Sequence, residues 1–230
     1  MNKPTSRSVP HMARQLTRED LAIGSRRDAY LRTELADIAW SEARLQASLE
    51  ETLARGPKGD IWMFAYGSLI WHPLFPVAEK RVARIYGLHR SFCLWSYIGR
   101  GTRQQPGLVL GLDLGGACRG LALRMEESGA REELTLLWRR EMLTGAYVPT
   151  WVNARTPDGP VDALAFLVNR KGRNYAGQIL DAEAARIIGA AAGLNGPCRD
   201  YLVRTAEGLA AHGFRDARLE RLVRLCDGGG

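Results

Sequence analysis

Four cysteines and four histidines are few for a chain of 230 residues, and their spacing is uninformative. Cys93, Cys118, Cys198 and Cys226 form no CxxC pair, and no histidine spacing completes a zinc pattern, so the sequence asks for neither a disulfide nor a metal. Cys93 and Cys118 stand in apolar, strand-like runs, where a free thiol behaves as a small hydrophobe. No apolar run approaches the roughly 18 residues of a membrane-spanning helix. The basic N-terminus is not followed by the apolar core of a secretory signal, so an intracellular, cytoplasmic protein with no membrane partner is expected. Familiar catalytic signatures are missing too. Gly99-Arg100-Gly101-Thr102 lacks the lysine and spacing of a phosphate-binding loop. Ala65-Tyr66-Gly67-Ser68-Leu69 is not a Gly-x-Ser-x-Gly nucleophile elbow. There is no βαβ alternation and no internal repeat.

What is present is an ordinary globular composition, 46% apolar, with a net charge of +7. Such a balance suits an anionic small molecule or a nucleic acid. The arginines are scattered, with no basic stripe interleaved with aromatics, so no nucleic-acid partner is expected. Residues 1–16 are polar and predicted to fray. Thr17-Arg18-Glu19-Asp20 reads as a capped helix start. From about residue 33, Leu35, Ile38, Leu45, Leu49 and Leu53 recur at helical spacings until Gly56-Pro57-Lys58-Gly59 stops the pattern. Residues 1–58 therefore read as a helical extension on a main domain at 59–230, packing on it or exchanged with a second copy.

After residue 59 the punctuation becomes β-like. Runs at 61–66, 81–95, 108–114 and 119–125 come first, then a helix at 132–143. Two more runs at 147–155 and 161–169 flank the turn Thr156-Pro157-Asp158-Gly159. Helical patterns at 182–192, 199–212 and 217–225 complete the chain. This order predicts an α+β fold, a small barrel or compact sheet with flanking helices.

Two features carry chemistry. The run at 61–65 feeds Tyr66-Gly67-Ser68-Leu69, where Gly67 lets a ligand approach the main chain and Ser68 adds a hydroxyl. In the helix 131–142, Leu134, Leu137, Trp138 and Glu141 lie at i, i+3, i+4 and i+7 and share one face. A carboxylate closing an apolar stripe at a helix C-terminus has its charged form disfavoured by desolvation and by the helix dipole. That is the tuning a general base requires near neutral pH. The competing reading is an ion pair with a neighbour such as Arg140. Glu132 and Glu133 read as first-turn acids that complement the dipole. Tyr147, Tyr175 and Tyr201 are candidates for phenol groups lining a polar pocket.

Several segments taken together resemble the ChaC-like γ-glutamylcyclotransferases. They are Trp62-Met63-Phe64-Ala65-Tyr66-Gly67-Ser68-Leu69-Ile70-Trp71, Leu137-Trp138-Arg139-Arg140-Glu141-Met142, Gly145-Ala146-Tyr147, Asn174-Tyr175-Ala176-Gly177 and Gly196-Pro197-Cys198-Arg199-Asp200-Tyr201-Leu202. The similarity runs over about 60–225, in order.

The resemblance implies a small mixed β-barrel with flanking helices and a lyase-type activity without a cofactor or metal. The implied reaction cleaves glutathione to 5-oxoproline and cysteinylglycine. Glu141 matches the family's catalytic carboxylate. Tyr66, Gly67, Ser68 and Leu69 match its substrate-binding loop, with Ala65 where glycine is common. Tyr147, Tyr175 and Tyr201 are carried over as substrate-binding residues by motif context. Two other readings stand beside this one: action on other γ-glutamyl amines or γ-glutamyl-amino acids, and a non-catalytic basic binding module. The N-terminal helices are candidates for capping a sheet edge, self-association or covering the site.

Overall fold

The strand-forming runs that follow Gly59 build five principal strands. These are β1 (Trp62–Ala65), β2 (Val77–Ser96), β3 (Gly107–Met125), β4 (Tyr147–Thr156) and β5 (Gly159–Val168). They close into a barrel in the order β1-β3-β2-β4-β5. The structure is a computed structural model that describes residues 16–33 and 35–228. Of the stretch 1–16, expected to fray, residues 1–15 lie outside the described residues.

β1 runs antiparallel to β3, with Trp62 opposite Arg124, and parallel to β5, with Trp62 opposite Ala163. A parallel contact of Leu112 with Leu167 joins β3 to β5. The α+β barrel expected from sequence is therefore present. Its strands are longer than the sequence suggests. The runs at 108–114 and 119–125 are one 19-residue strand, paired along its length with the 20-residue β2. The apparent break is a bend. Gly87 (φ +79°), Gly115 (φ +102°) and Gly116 (φ +70°) flank a register shift between Tyr86 and Leu88. Glycine takes this left-handed backbone without a Cβ clash, and a bulge adds the local twist that curls a hairpin into a barrel.

Helices cover the outside: α1 (Arg18–Ala22), α2 (Ser25–Leu31), α3 (Glu42–Ala54), α4 (Ala130–Glu141), α5 (Asp181–Ala190), α6 (Cys198–Ala211) and α7 (Ala217–Asp227). The capping box read at Thr17 is formed. The Thr17 hydroxyl accepts from Asp20 N–H at 3.1 Å, and Thr17 N–H donates to the Asp20 carboxylate at 2.9 Å. The helical pattern from residue 33 becomes regular only at Glu42, after Ser41 caps Arg44 N–H at 3.2 Å. Leu45 and Leu49 then enter the same apolar cluster as the barrel side chains, so this segment packs on the main body.

The apolar stripe of α4 positions the site. Leu134, Leu137 and Trp138 are all buried, and the Trp138 ring lies 5.5 Å from that of Phe166 on β5. Truncating a buried aromatic of this size typically costs about 3–5 kcal/mol. Trp138 thus pins the last turn of α4 against the barrel, one turn before Glu141. Among the described residues no helix is long and apolar enough to cross a membrane.

Candidate active site

β1 ends at Ala65, and the chain turns through Tyr66 and Gly67 into a 3-10 turn, Ser68–Ile70. Two contacts fix the turn. Tyr66 donates its phenol to the Phe166 carbonyl at 2.7 Å, and its own carbonyl accepts from Arg90 Nε at 2.9 Å. Burial pushes the Tyr66 phenol well up, so it stays a neutral donor. The first N–H groups of a helical turn have no acceptor within it. Those of Gly67, Ser68 and Leu69 meet no backbone acceptor among the described residues.

Gly67 is required by space. Its φ of −133° is open to any residue, but a Cβ there would sit 3.0 Å from the Tyr201 hydroxyl.

The last turn of α4 faces this loop. The Glu141 side chain is 14% exposed, and Arg140 Nε lies 3.0 Å from its Oε1. The ion pair weighed from sequence thus exists, yet it leaves Glu141 in the cavity wall. Arg140 is itself buried. It donates through Nη1 to the His72 carbonyl and through Nη2 to Ser68 Oγ, both at 2.6 Å. One guanidinium therefore ties the helix end, the serine and the turn's exit into a single arrangement. A planar fork suits this task, which a lysine's point charge cannot reproduce.

Two tyrosines complete the inner wall. Tyr147 donates to the Leu110 carbonyl at 3.1 Å, and Tyr201 accepts from Leu110 N–H at 3.3 Å. Burial raises the Tyr201 phenol far above its ordinary range. A cavity of about 120 Å³ opens against Ser68, Arg140, Glu141, Tyr147 and Tyr201. A recess of about 20 Å³ shares four of those residues and reaches Gly67 and Leu69. Glu141 stands where the two spaces meet.

Seven residues singled out in the sequence thus surround one cavity: Tyr66, Gly67, Ser68, Leu69, Glu141, Tyr147 and Tyr201. Two do not line it. Ala65 is fully buried in β1 opposite Leu121 and supports the turn from behind. Tyr175 donates its hydroxyl to Asp113 Oδ2 at 3.0 Å, outside the cavity, and its neighbour Asn174 reaches the wall instead. Motif context located the segment without indicating which side chain turns inward.

Three site residues escaped the sequence reading. Arg140 entered only as a competitor for Glu141. His72 stacks on Trp71 with ring centroids 5.9 Å apart, and its Nε2 lies 2.8 Å from the Leu16 carbonyl. Burial lowers the pKa of its imidazole, Arg140, Arg204 and Arg100 add to this, and the Leu16 bond opposes it, so the ring is neutral at pH 7. Arg100, from the Gly-rich turn at 99–102, is 9% exposed and lines the cavity. It donates to the Pro197 carbonyl at 3.2 Å and has no ion-pair partner among the described residues. Burial pushes its guanidinium down from the ordinary value. A buried cation without a carboxylate is costly, and a bound anion offsets that cost. Among the described residues no cluster of three or more His, Cys, Asp or Glu side chains has the arrangement to hold a metal ion.

A model of the family described as ChaC-like protein matches residues 61–227. The chain belongs to the ChaC-like family. Its relatives include the glutathione-specific γ-glutamylcyclotransferase of Escherichia coli K12, 39% identical over 188 residues that cover 81% of each chain. The mouse glutathione-specific γ-glutamylcyclotransferase 1 is 31% identical over 184 residues, covering 77% of this chain and 82% of the mouse protein. The crystal structure of the yeast γ-glutamyl cyclotransferase specific to glutathione superimposes with a TM-score of 0.68 at 19% identity, over 74% of this chain and 97% of the other. That likeness establishes the shared fold. In this ChaC-like chain the family match begins at the residue before β1, so α1 to α3 all precede it.

Proposed function

We propose that this protein is a glutathione-specific γ-glutamylcyclotransferase that releases 5-oxoproline and cysteinylglycine. The observation that carries the reading is Glu141, a largely buried carboxylate of a ChaC-like chain at the junction of cavity and recess. One of its oxygens is held by Arg140, and the other has no protein partner among the described residues. That second oxygen can serve as a proton acceptor in a side chain that lines both spaces.

The reaction needs little more. The α-amine of the γ-glutamyl unit attacks its own γ-carbonyl and forms the ring C–N bond. The bond from that carbonyl to the cysteine nitrogen breaks. Glu141 takes a proton from the attacking amine and delivers it to the departing nitrogen, a role usually worth about 10²–10⁴-fold. Ring closure is intramolecular, so holding the chain folded supplies much of the remaining acceleration. The main-chain N–H groups of Gly67, Ser68 and Leu69 hold the negative charge of the γ-glutamyl end. Ser68, with its oxygen bonded to Arg140, positions substrate and is not the nucleophile. Arg100 and Arg140 give the cavity a positive potential suited to an anionic donor. Tyr147 and Tyr201 shape the inner wall. A reducing cytoplasmic setting fits both this substrate and the four free thiols.

Measuring 5-oxoproline and cysteinylglycine released from glutathione, beside 5-oxoproline released from γ-glutamyl-alanine, tests the reading. Glutathione is expected to have the higher kcat/KM. Preference for the dipeptide would replace glutathione by a simpler donor, and glutamate as the γ-glutamyl product would replace cyclisation by hydrolysis.

A further inference from the structure

The two ends of the cavity are built from different parts of the chain. Among the described residues, the recess beside Gly67 has no wall residue before Tyr66. The wider part includes Leu16 and Tyr30. Both lie ahead of residue 61, where the family match begins.

Four anchors hold this segment beside the cavity. The Leu16 carbonyl is bonded to His72 Nε2 at 2.8 Å. Arg18 donates to the Leu74 carbonyl at 2.7 Å and pairs with Glu133 on α4, Nη2 to Oε1 at 2.6 Å. Arg139, also on α4, donates to the Ala22 carbonyl at 3.0 Å. Tyr30 is 5% exposed and packs with Leu35 and with Leu143, itself a cavity wall residue. The segment is thus fastened to the helix that carries Glu141 and to the exit of the Gly67 turn.

We infer that residues 16–33 form a strap that walls the leaving-group half of the cavity and selects γ-glutamyl donors by their leaving amine. The inference rests on the cyclotransferase reading above. The γ-carbonyl must lie within reach of Glu141, at the junction. The γ-glutamyl end then points toward the recess and the Gly67 turn. The leaving amine projects the other way, into the part bounded by Leu16 and Tyr30. A long leaving group such as cysteinylglycine reaches the strap, and a single small residue such as alanine stops short of it. The strap therefore contributes to binding only for the longer donor, through contacts whose loss costs about tenfold or more.

The test is steady-state release of 5-oxoproline from glutathione and from γ-glutamyl-alanine by the full-length wild type, Tyr30→Ala and Arg18→Ala. Tyr30→Ala is expected to raise the KM for glutathione about 10-fold with kcat within about 2-fold, and to leave the KM for γ-glutamyl-alanine within about 2-fold. Arg18→Ala removes an anchor that is not among the described residues lining the cavity. It is expected to shift the same ratio of KM values in the same direction by about 3-fold. Should Tyr30→Ala fail to fold, Arg18→Ala decides alone. Equal changes for both donors, no change for either, or a fall in kcat at constant KM would each overturn the strap and leave the reaction standing. A wild type that makes 5-oxoproline from neither donor would overturn the reaction, and the strap with it.

Discussion

Asp113 and Glu141 are carboxylates of similar surroundings and opposite character. Asp113 on β3 has a side chain only 3% exposed. Arg170 Nε donates to it at 2.5 Å, Leu114 N–H at 2.8 Å and the Tyr175 hydroxyl at 3.0 Å. Burial alone would raise this carboxyl, but the three hydrogen bonds outweigh it and hold it below its ordinary value. The Glu141 side chain is 14% exposed, has one arginine on one oxygen, and lines a cavity. Both groups combine a carboxylate, an arginine and tyrosines. The difference is saturation. A carboxylate with both oxygens bonded by the protein stabilises the fold, and one left with an open oxygen in a cavity is available for proton transfer. Tyr175, read from sequence as a site residue, belongs to the saturated group.

Four changes break or sharpen this contrast, from the largest effect to the smallest. Gly67→Ala places a Cβ 3.0 Å from the Tyr201 hydroxyl and forces either the turn or the tyrosine to shift. Displacement of this kind is expected to lower kcat/KM for glutathione by about 10–100-fold at nearly unchanged Tm, read by 5-oxoproline release and a thermal melt. Arg140→Lys keeps the charge and loses the fork that joins Ser68, His72 and Glu141. About a tenfold fall in kcat is expected, with a smaller change in KM.

Asp113→Asn should do the reverse. It weakens a buried network whose arginine is half in solvent, so about 1–2 kcal/mol of stability is lost while turnover per folded molecule stays within about 2-fold. Urea unfolding beside the activity assay separates the two outcomes. The smallest effect concerns His72, whose pKa lies below the ordinary 6.5 in the fold. The unfolded chain then binds this proton more readily, so stability is complete above pH 6.5 and declines as pH falls below it. The decline ends once folded His72 also protonates. His72→Gln should remove that part of the acid limb in urea titrations at pH 7 and pH 5.

Much of this was legible in the sequence, for physical reasons. The i, i+3, i+4, i+7 pattern of Leu134, Leu137, Trp138 and Glu141 is a property of the helix itself, so the face it predicts is the face that packs. The run before Tyr66 had to be a buried strand, and it is. Continuity of β2 and β3 was not legible, because Gly87, Gly115 and Gly116 punctuate a sequence equally at a bend and at an end. The inward turn of Arg140 and Arg100 was invisible as well. Where a long charged side chain goes depends on partners at 68, 72 and 197, distant along the chain. Likewise, no periodicity reveals that Asp113 captures Tyr175 across 62 residues.

The central claim is that Glu141 moves the proton while the substrate attacks itself. Its most direct test is 5-oxoproline release from glutathione by Glu141→Gln and wild type at equal folded concentration, with glutathione binding followed by calorimetry. The amide variant is expected to bind glutathione within about 3-fold of wild type, to melt at a similar temperature, and to turn over about 10²–10⁴-fold more slowly. Near-wild-type turnover in Glu141→Gln would contradict the central claim.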